Sequence, residues 1–562
     1  MRGAVAFVKS LEKLGVKHIF GITGAMIIPV FDALYDSNQI RYIHVRNEQA
    51  ASYAADGYAR ASGKPGVCIA TSGPGATNLV TGIVNAYMDS SPLIAITGQV
   101  ARGVIGTDAF QEADMVGILM PHVKHNFLVL NPRELVEVVR KAFKIATTGR
   151  PGPVHIDIPV DVQMEDIEFD EKIFASEVKL RSKVQLEPDL EAVKRAAELL
   201  IKAERPLIIA GGGVIWSNAS RELLNLAEYL AIPVATASMG KGAFPENHPL
   251  SLGVVGLFGT KVANTIVNDS DLIVAIGTRF ADRLTGERRT FIANRKLIHI
   301  DIDPAELGKV YTPNVAIAGD AKRVLAMLLE VVSKMISKDK YKDSPRAREI
   351  LELKKAMAIK MDHEDIPLKP QRVIKEIRQA LPRDAIVTTG VGQHQMCAIQ
   401  MYEALEPRTF ITSGGLAPMG FGLPSAIGAK LARPDKVVLD IDSDGSLMMT
   451  GNEIATSVVH DVPVIIALFD NRKYTLIRQV LKMAWKARYI GEDIGEAPDF
   501  VKYAEAFNAR AQRITRPEEI GPAIKEGIKM QETVLLDIII DPEAMVSCVW
   551  PPGKPLTERV DF

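Results

Sequence analysis

Short apolar runs recur along the chain, separated by stretches in which apolar positions return every three or four residues. In the first part they are HIFGI, YIHV, GVCIAT, LIAIT, NFLVL and PVHIDIP, the last ending near Pro159. Strands alternating with helices in this way predict a parallel sheet covered on both faces. From about Glu187 the rhythm restarts with RPLIIAGGG, IPVATA, DLIVAIGTR, KLIHIDIDP and VAIAGD, closing in a helix near Ser337. The charged segment SKDKYKDSPRARE then predicts a surface linker or a solvated helix start. A third block opens near Pro370 with the helix QRVIKEIRQAL, followed by AIVTTG, TFITSG, VVLDI, VIIALF and VLLDIII. The first and third blocks share a helix-first, roughly six-strand rhythm, as an old duplication would leave. The tail, SCVWPPGKPLTERVDF, is Pro-rich and predicts an extended segment.

Length agrees with this division, since 562 residues exceed one hydrophobic core and correspond to about three domains. The expected bounds are 1–165, 186–340 and 365–545, with 546–562 as a tail. Charge removes some function classes: 67 basic residues against 68 acidic give a net charge of −1, and no basic arm with interleaved aromatics suits a nucleic acid. Cys68, Cys397 and Cys548 are far apart and lack metal-ligand spacing, which predicts neither disulfides nor a zinc site and suits a reducing cytoplasm. The N-terminal MRGAVAFVKSLEKLGVKHIF predicts an amphipathic helix running into a strand, without the apolar core and cleavage site of a signal peptide. No apolar run approaches the roughly 18 residues of a membrane span.

Two stretches carry candidate chemistry. DSDGS follows the run KVVLDI, and FDNRKY follows VIIALF, so both stand where loops leave the carboxyl ends of strands, the usual ligand position in open α/β sheets. Asp444 offers a carboxylate and Asn471, 27 positions later, an amide oxygen, a donor pair suited to Mg²⁺ completed by phosphate and water. Gly445 would let the backbone approach a phosphate at the positive end of the next helix. Taken alone, Asp444 and Gly445 equally fit a turn in which the Asp caps a helix. The second stretch is HVRNEQAASYAADGYARASGKPG, where Asn47 suits an N-cap and Glu48 a first helical turn.

Together these motifs resemble the thiamine diphosphate-dependent family that contains pyruvate oxidase and the acetohydroxyacid synthase (acetolactate synthase) large catalytic subunits. The match to the latter extends through TSGPGATNLVTGIVNAYMDSSPLIAITGQV, IGTDAFQEADMVGI, GRPGPVHIDIP, GVGQHQM and TSGGLAPMGFGLPSAIGAK, in order over nearly the whole chain. The resemblance implies three open parallel-sheet α/β domains: pyrimidine-binding, central Rossmann-like and diphosphate-binding. It implies that Asp444, Asn471 and the Lys473 carbonyl hold Mg²⁺ on the diphosphate, and that Gly392, Gln393, His394, Gly445 and Ser446 line that site. Glu48 would share a proton with the aminopyrimidine, Phe110 and Gln111 would approach the reaction centre, and Met419 would support the thiazolium with Ala417 beside it.

AGGGV, read alone, is a weak dinucleotide signal and equally a tight turn. In wider relatives the central domain holds FAD, ADP or nothing; the resemblance to acetohydroxyacid synthases implies FAD at Gly211, Gly212, Gly213, Gly277, Arg279, Asp301 and Asp320. It also implies pyruvate and a second 2-oxo acid as substrates, 2-acetolactate as product, and a homodimer or homotetramer with shared sites. A small regulatory subunit is a further partner of such enzymes. The chain departs from the pattern at Ser443, Asp470, Ala417 and Pro418, at Thr23 and Ala25, and most at Thr475, Leu476, Ile477 and Val480, where the acceptor pocket would lie. The altered pocket leaves pyruvate oxidase, pyruvate decarboxylase, hydroxyacyl-CoA lyase and sulfoacetaldehyde acetyltransferase chemistry as alternatives, with a catalytically silent regulatory homologue as a non-enzymatic one.

Overall fold

The computed structural model describes residues 1–174, 187–337, 344–549 and 553–561. The expected domain bounds at 186 and 340, and residues 550–552 and 562 of the tail, lie outside the described residues. Within them the chain forms three six-stranded parallel sheets.

The N-terminal sheet contains β1 (His18–Gly21), β2 (Arg41–His44), β3 (Gly66–Ala70), β4 (Leu93–Gln99), β5 (His125–Leu128) and β6 (Val154–Pro159), in the order β2-β1-β3-β4-β6-β5. β3, β4 and β6 are buried at every position, as their unbroken apolar runs require of strands covered on both faces. The central sheet contains β7 (Pro206–Ala210), β8 (Val234–Thr236), β9 (Ser251–Val254), β10 (Leu272–Ile276), β11 (Lys296–Asp301) and β12 (Val315–Ala318). Its order, β12-β11-β10-β7-β8-β9, is the doubly wound arrangement of dinucleotide-binding folds. The third sheet contains β13 (Ile386–Thr389), β14 (Phe410–Ile411), β15 (Val438–Ser443), β16 (Ile465–Asp470), β17 (Arg510–Ile514) and β18 (Val534–Ile539), ordered β14-β13-β15-β16-β18-β17. Counted from its first strand, this is the order of the N-terminal sheet. The three-sheet expectation holds, with two strands added to those read from the apolar runs, β9 and β17.

The linker expectation is met in part: Ser344 caps a helix, Pro345–Ala356, through the Ala347 N–H. The tail is less extended than expected, since Cys548–Val549 pairs antiparallel with Arg559–Val560. All three cysteines are free and buried. No helix among the described residues is long and apolar enough to cross a membrane.

The outer domains meet along two helices rich in small residues, Glu48–Ser62 and Gly422–Ala432. A Cβ on Gly57 would stand 2.2 Å from the Ser425 carbonyl oxygen, and one on Gly428 1.9 Å from that of Ala54. Glycine is therefore required at both positions for the backbones to approach this closely. A buried ion cluster completes the junction. The Arg60 guanidinium donates to both Asp56 oxygens at 2.8 and 2.7 Å, to Asp89 at 3.0 Å and to the Thr412 carbonyl at 2.7 Å.

Candidate active site

The carboxyl ends of β13, β15 and β16 form one crevice. Register places Thr389 beside Ile441 and Ser443 beside Phe469, so the loops after these strands emerge together. Ser443 caps the short helix Asp444–Leu447. The Asp444 side chain is buried, with Oδ1 accepting from Gly445 N–H at 2.7 Å and Oδ2 from Asn471 and Arg472 N–H at 3.1 and 2.5 Å. Burial raises the Asp444 pKa, opposed by these amides. Asn471 donates through Nδ2 to Thr475 Oγ1 at 2.7 Å, which fixes which face of the amide is its oxygen; that oxygen accepts from Lys473 N–H at 3.2 Å. Carboxylate, amide and carbonyl oxygens are a hard donor set that suits Mg²⁺. Among the described residues no group of three or more His, Cys, Asp or Glu could hold a metal unaided, so a cation here would need oxygens from a ligand such as a diphosphate.

Beneath this loop lies a polar cluster not assigned from the sequence. Asp440 and Asp442, two residues apart on β15 and hence on one face of the sheet, are fully buried. Asp440 accepts from Thr388 Oγ1 at 2.9 Å, and Asp442 from Ser443 N–H at 2.8 Å. Burial raises both pKa values, and Asp442 raises that of Asp440 further. The His394 ring turns inward, its Nε2 3.6 Å from Asp442, and burial pushes its pKa down to about 3. The Gln393 amide is likewise committed, to the Ala544 carbonyl. Ser446 Oγ accepts from Val391 N–H at 3.2 Å and Gly420 N–H at 3.0 Å, tying three loops together. Ala417 adopts φ +58 and donates its N–H to Ser413 Oγ at 2.9 Å, while Met419, two residues on, is half-buried.

In the N-terminal domain, Glu48 opens the helix Glu48–Ser62, whose cap is Asn47 Oδ1 accepting from Gln49 N–H at 2.8 Å. Glu48 Oε2 accepts from Asn78 Nδ2 at 3.0 Å, and Oε1 would lie 3.3 Å from a Cβ on Gly75. Gly73 in the same loop is pressed against Gln111, whose carbonyl oxygen would stand 2.7 Å from a Cβ there. The loop TSGPG, residues 71–75, thus has Glu48 on one side and Gln111 on the other, with Phe110 79% exposed beside them.

The seven central-domain residues singled out in the sequence line one cavity of about 260 Å³. It opens between the ends of β7 and β10, the adjacent strands at which the sheet order reverses, where open α/β folds bind their ligands. Gly211 and Gly213 pack on Gly277, which has φ +57; a Cβ on Gly211 would stand 2.2 Å from the Gly277 carbonyl oxygen. The glycines therefore serve backbone packing as well as ligand access. Asp320 caps the helix Ala321–Met335 at the cavity rim, and burial pushes Asp301 up to about 6. Burial lowers the Arg279 pKa, and its guanidinium donates to the Met88 carbonyl. Sequence reasoning missed the walls supplied by the outer domains: Asp89 and Arg150 from one, Gly414 and Gly415 from the other. Asp89 joins them directly, accepting from Gly414 and Gly415 N–H at 3.1 and 2.7 Å.

Comparison with known proteins agrees with the three-sheet fold. Residues 1–118 match the family described as thiamine pyrophosphate enzyme, N-terminal TPP binding domain; residues 193–328 match the central domain and 390–538 the C-terminal TPP binding domain. A probable acetolactate synthase large subunit of Methanocaldococcus jannaschii is 50% identical over 100% of this chain and 95% of its own length. One from Methanococcus aeolicus is 47% identical over the same shares, and the acetolactate synthase large subunit of Corynebacterium glutamicum is 44% identical over 98% of this chain and 88% of its own. The chain belongs to the thiamine pyrophosphate enzyme family, among the acetolactate synthase large subunits.

Proposed function

We propose that the chain decarboxylates pyruvate and joins the resulting two-carbon unit to a second 2-oxo acid, giving 2-acetolactate when that acid is pyruvate. The observation that carries this reading is the level placement of Asp444 and Asn471 at the ends of adjacent strands, in a chain alike throughout to acetolactate synthase large subunits. Asp444, Asn471 and the Lys473 carbonyl would hold Mg²⁺, and the segment at Gly445 and Ser446 would line the diphosphate site. Thiamine diphosphate, when bound, supplies the electron sink that decarboxylation requires. Glu48 would hold and move the activating proton at its carboxylate, oriented by Asn78 Nδ2. Phe110 and Gln111 would close over the substrate and exclude water, and Met419 would fill the space under the cofactor. FAD would occupy the central cavity, whose glycine floor admits a close backbone approach while Arg279 supplies positive charge.

Glu48 and Asp444 belong to different domains, and a shared site between two copies of the chain would bring them together. The exposed apolar side chains Phe110 (79%), Met449 (53%), Ile477 (49%) and Ile490 (82%) support a further surface buried by self-association into a dimer or tetramer. A small regulatory subunit would complete the enzyme, as the term large subunit in its relatives' names suggests. The test is incubation of the purified chain with pyruvate, Mg²⁺ and thiamine diphosphate, with and without FAD. Acetolactate without oxygen uptake is expected; acetyl phosphate with peroxide, or no CO₂ release from any 2-oxo acid, would overturn the reading.

A further inference from the structure

Glu453 lies nine positions beyond Asp444 in the C-terminal domain, yet its carboxylate also accepts from backbone of the N-terminal one. Its carboxylate is 1% exposed and accepts from the Arg46 N–H at 2.9 Å through Oε1 and 3.2 Å through Oε2, across 407 residues of sequence. Thr456 Oγ1 donates to Oε2 at 2.6 Å, and the Asn47 N–H is near enough to favour the charged form of the carboxylate, against the burial that raises its pKa. Arg46 and Asn47 are the two residues immediately before Glu48. A buried charge satisfied by backbone amides is costly to leave unpaired, so these bonds strongly constrain the loop.

Neighbouring bonds extend the same docking. The His44 N–H donates to His460 Nε2 at 3.0 Å, and Arg41 donates to the His460 carbonyl. The outer edge of β2 and the turn after it are thus seated along residues 453–460 of the other domain. Asn47 caps its helix from within, which sets the helix but not the direction from which the chain enters it. Glu453 supplies that second restraint.

We propose that Glu453 is a positioning residue for Glu48: by holding the Arg46 amide, two residues before Glu48, from the C-terminal domain, it sets where the Glu48 carboxylate stands. This rests on the role given to Glu48 above, and part of its test needs no cofactor. In cofactor-free protein, Glu453→Gln should speed hydrogen–deuterium exchange at the Arg46 amide by tenfold or more. Thr456→Val, which removes a donor to the carboxylate and leaves the amide bonds, should change that exchange much less. In the loaded enzyme Glu453→Gln should lower kcat on the order of 10- to 100-fold, the scale of a displaced reacting group, with KM for pyruvate within about twofold. Because the effect passes through Glu48, adding Glu453→Gln to Glu48→Gln should lower kcat by less than about twofold more. Unchanged amide exchange in Glu453→Gln, or losses that multiply in the double variant, would overturn the proposal. Full activity in Glu48→Gln alone would instead refute the role of Glu48, which separates the two failures.

Discussion

Replacing Arg60 by Leu removes the cation that pairs with Asp56 and Asp89 at the buried junction between the outer domains. The Arg60 side chain is 9% exposed, and those of Asp56 and Asp89 are fully buried. Burial opposes the guanidinium charge, but the two carboxylates more than offset this and raise its pKa. In Arg60→Leu, Asp56 keeps a 2.9 Å bond from Asn85 and Asp89 keeps the Gly414 and Gly415 amides, so neither carboxylate loses every donor. Both do lose their counter-charge, and breaking a buried pair by removing one partner costs about 3–5 kcal/mol. At about 2–4 °C per kcal/mol for domains of this size, the melting midpoint should fall by about 6–20 °C. Arg60→Lys retains the charge without the bidentate fork and should fall between the variant and the parent. Thermal melts followed by circular dichroism, with urea titration as a check, give the ordering. A midpoint for Arg60→Leu within about 2 °C of the parent would refute the argument that this cluster holds the domains together.

Thr475→Val should free the Asn471 amide and weaken Mg²⁺-dependent binding of thiamine diphosphate by about 10- to 100-fold, the usual effect of losing an outer-sphere partner; a fluorescence titration with Mg²⁺ reads it. Gly277→Ala would place a Cβ 2.6 Å from Gly213 Cα at a φ of +57, and should destabilise the central domain by about 1–3 kcal/mol and lower the flavin released from purified protein on acid treatment. Asp157 is buried in the N-terminal sheet, accepting from Thr97 Oγ1 at 2.6 Å and Gln99 Nε2 at 3.0 Å, and burial pushes its pKa up to about 7 from 3.8. A raised folded-state pKa favours the protonated form, so its contribution to stability is full below about pH 4 and is lost as pH rises through about 7. The stability of the parent relative to Asp157→Asn should therefore decline over that window in urea titrations at several pH values; a constant difference would exclude the linkage.

The central strands were legible because burial on both faces makes them continuous apolar runs, as in LIAIT and VIIALF. β9 and β17 escaped for the opposite reason. Both are sheet edges: β9 offers only SLGV, with Gly253 at φ +76, and β17 reads RAQRI, with three of its five residues exposed. The glycine and acid positions of the central cavity were reached through the family resemblance, since AGGGV alone is a weak signal. Asp89 and Glu453 were not, since each acquires its meaning from a backbone amide more than 300 residues away. His394 follows the same division: the motif places the residue at the crevice, while the burial of its ring near Asp442 becomes visible only in the packed domain.

The repeated strand order of the outer sheets sets one acidic group of the proposed chemistry on the turn after a third strand and the other against the corresponding turn. β3 and β15 are each the third strand of their domain, and each runs directly into a short helix, Pro74–Asn78 or Asp444–Leu447. After β15 that turn is DSDGS and carries the oxygen donors; after β3 it is TSGPG, carries no carboxylate, and instead leaves room for Glu48 against Gly75. The two corresponding turns thus differ in what they offer: oxygen donors in one, and in the other a small-residue loop that accommodates a carboxylate. In a symmetric pair of chains, each crevice would receive one turn of each kind, so that two identical subunits would build a site neither turn could form alone.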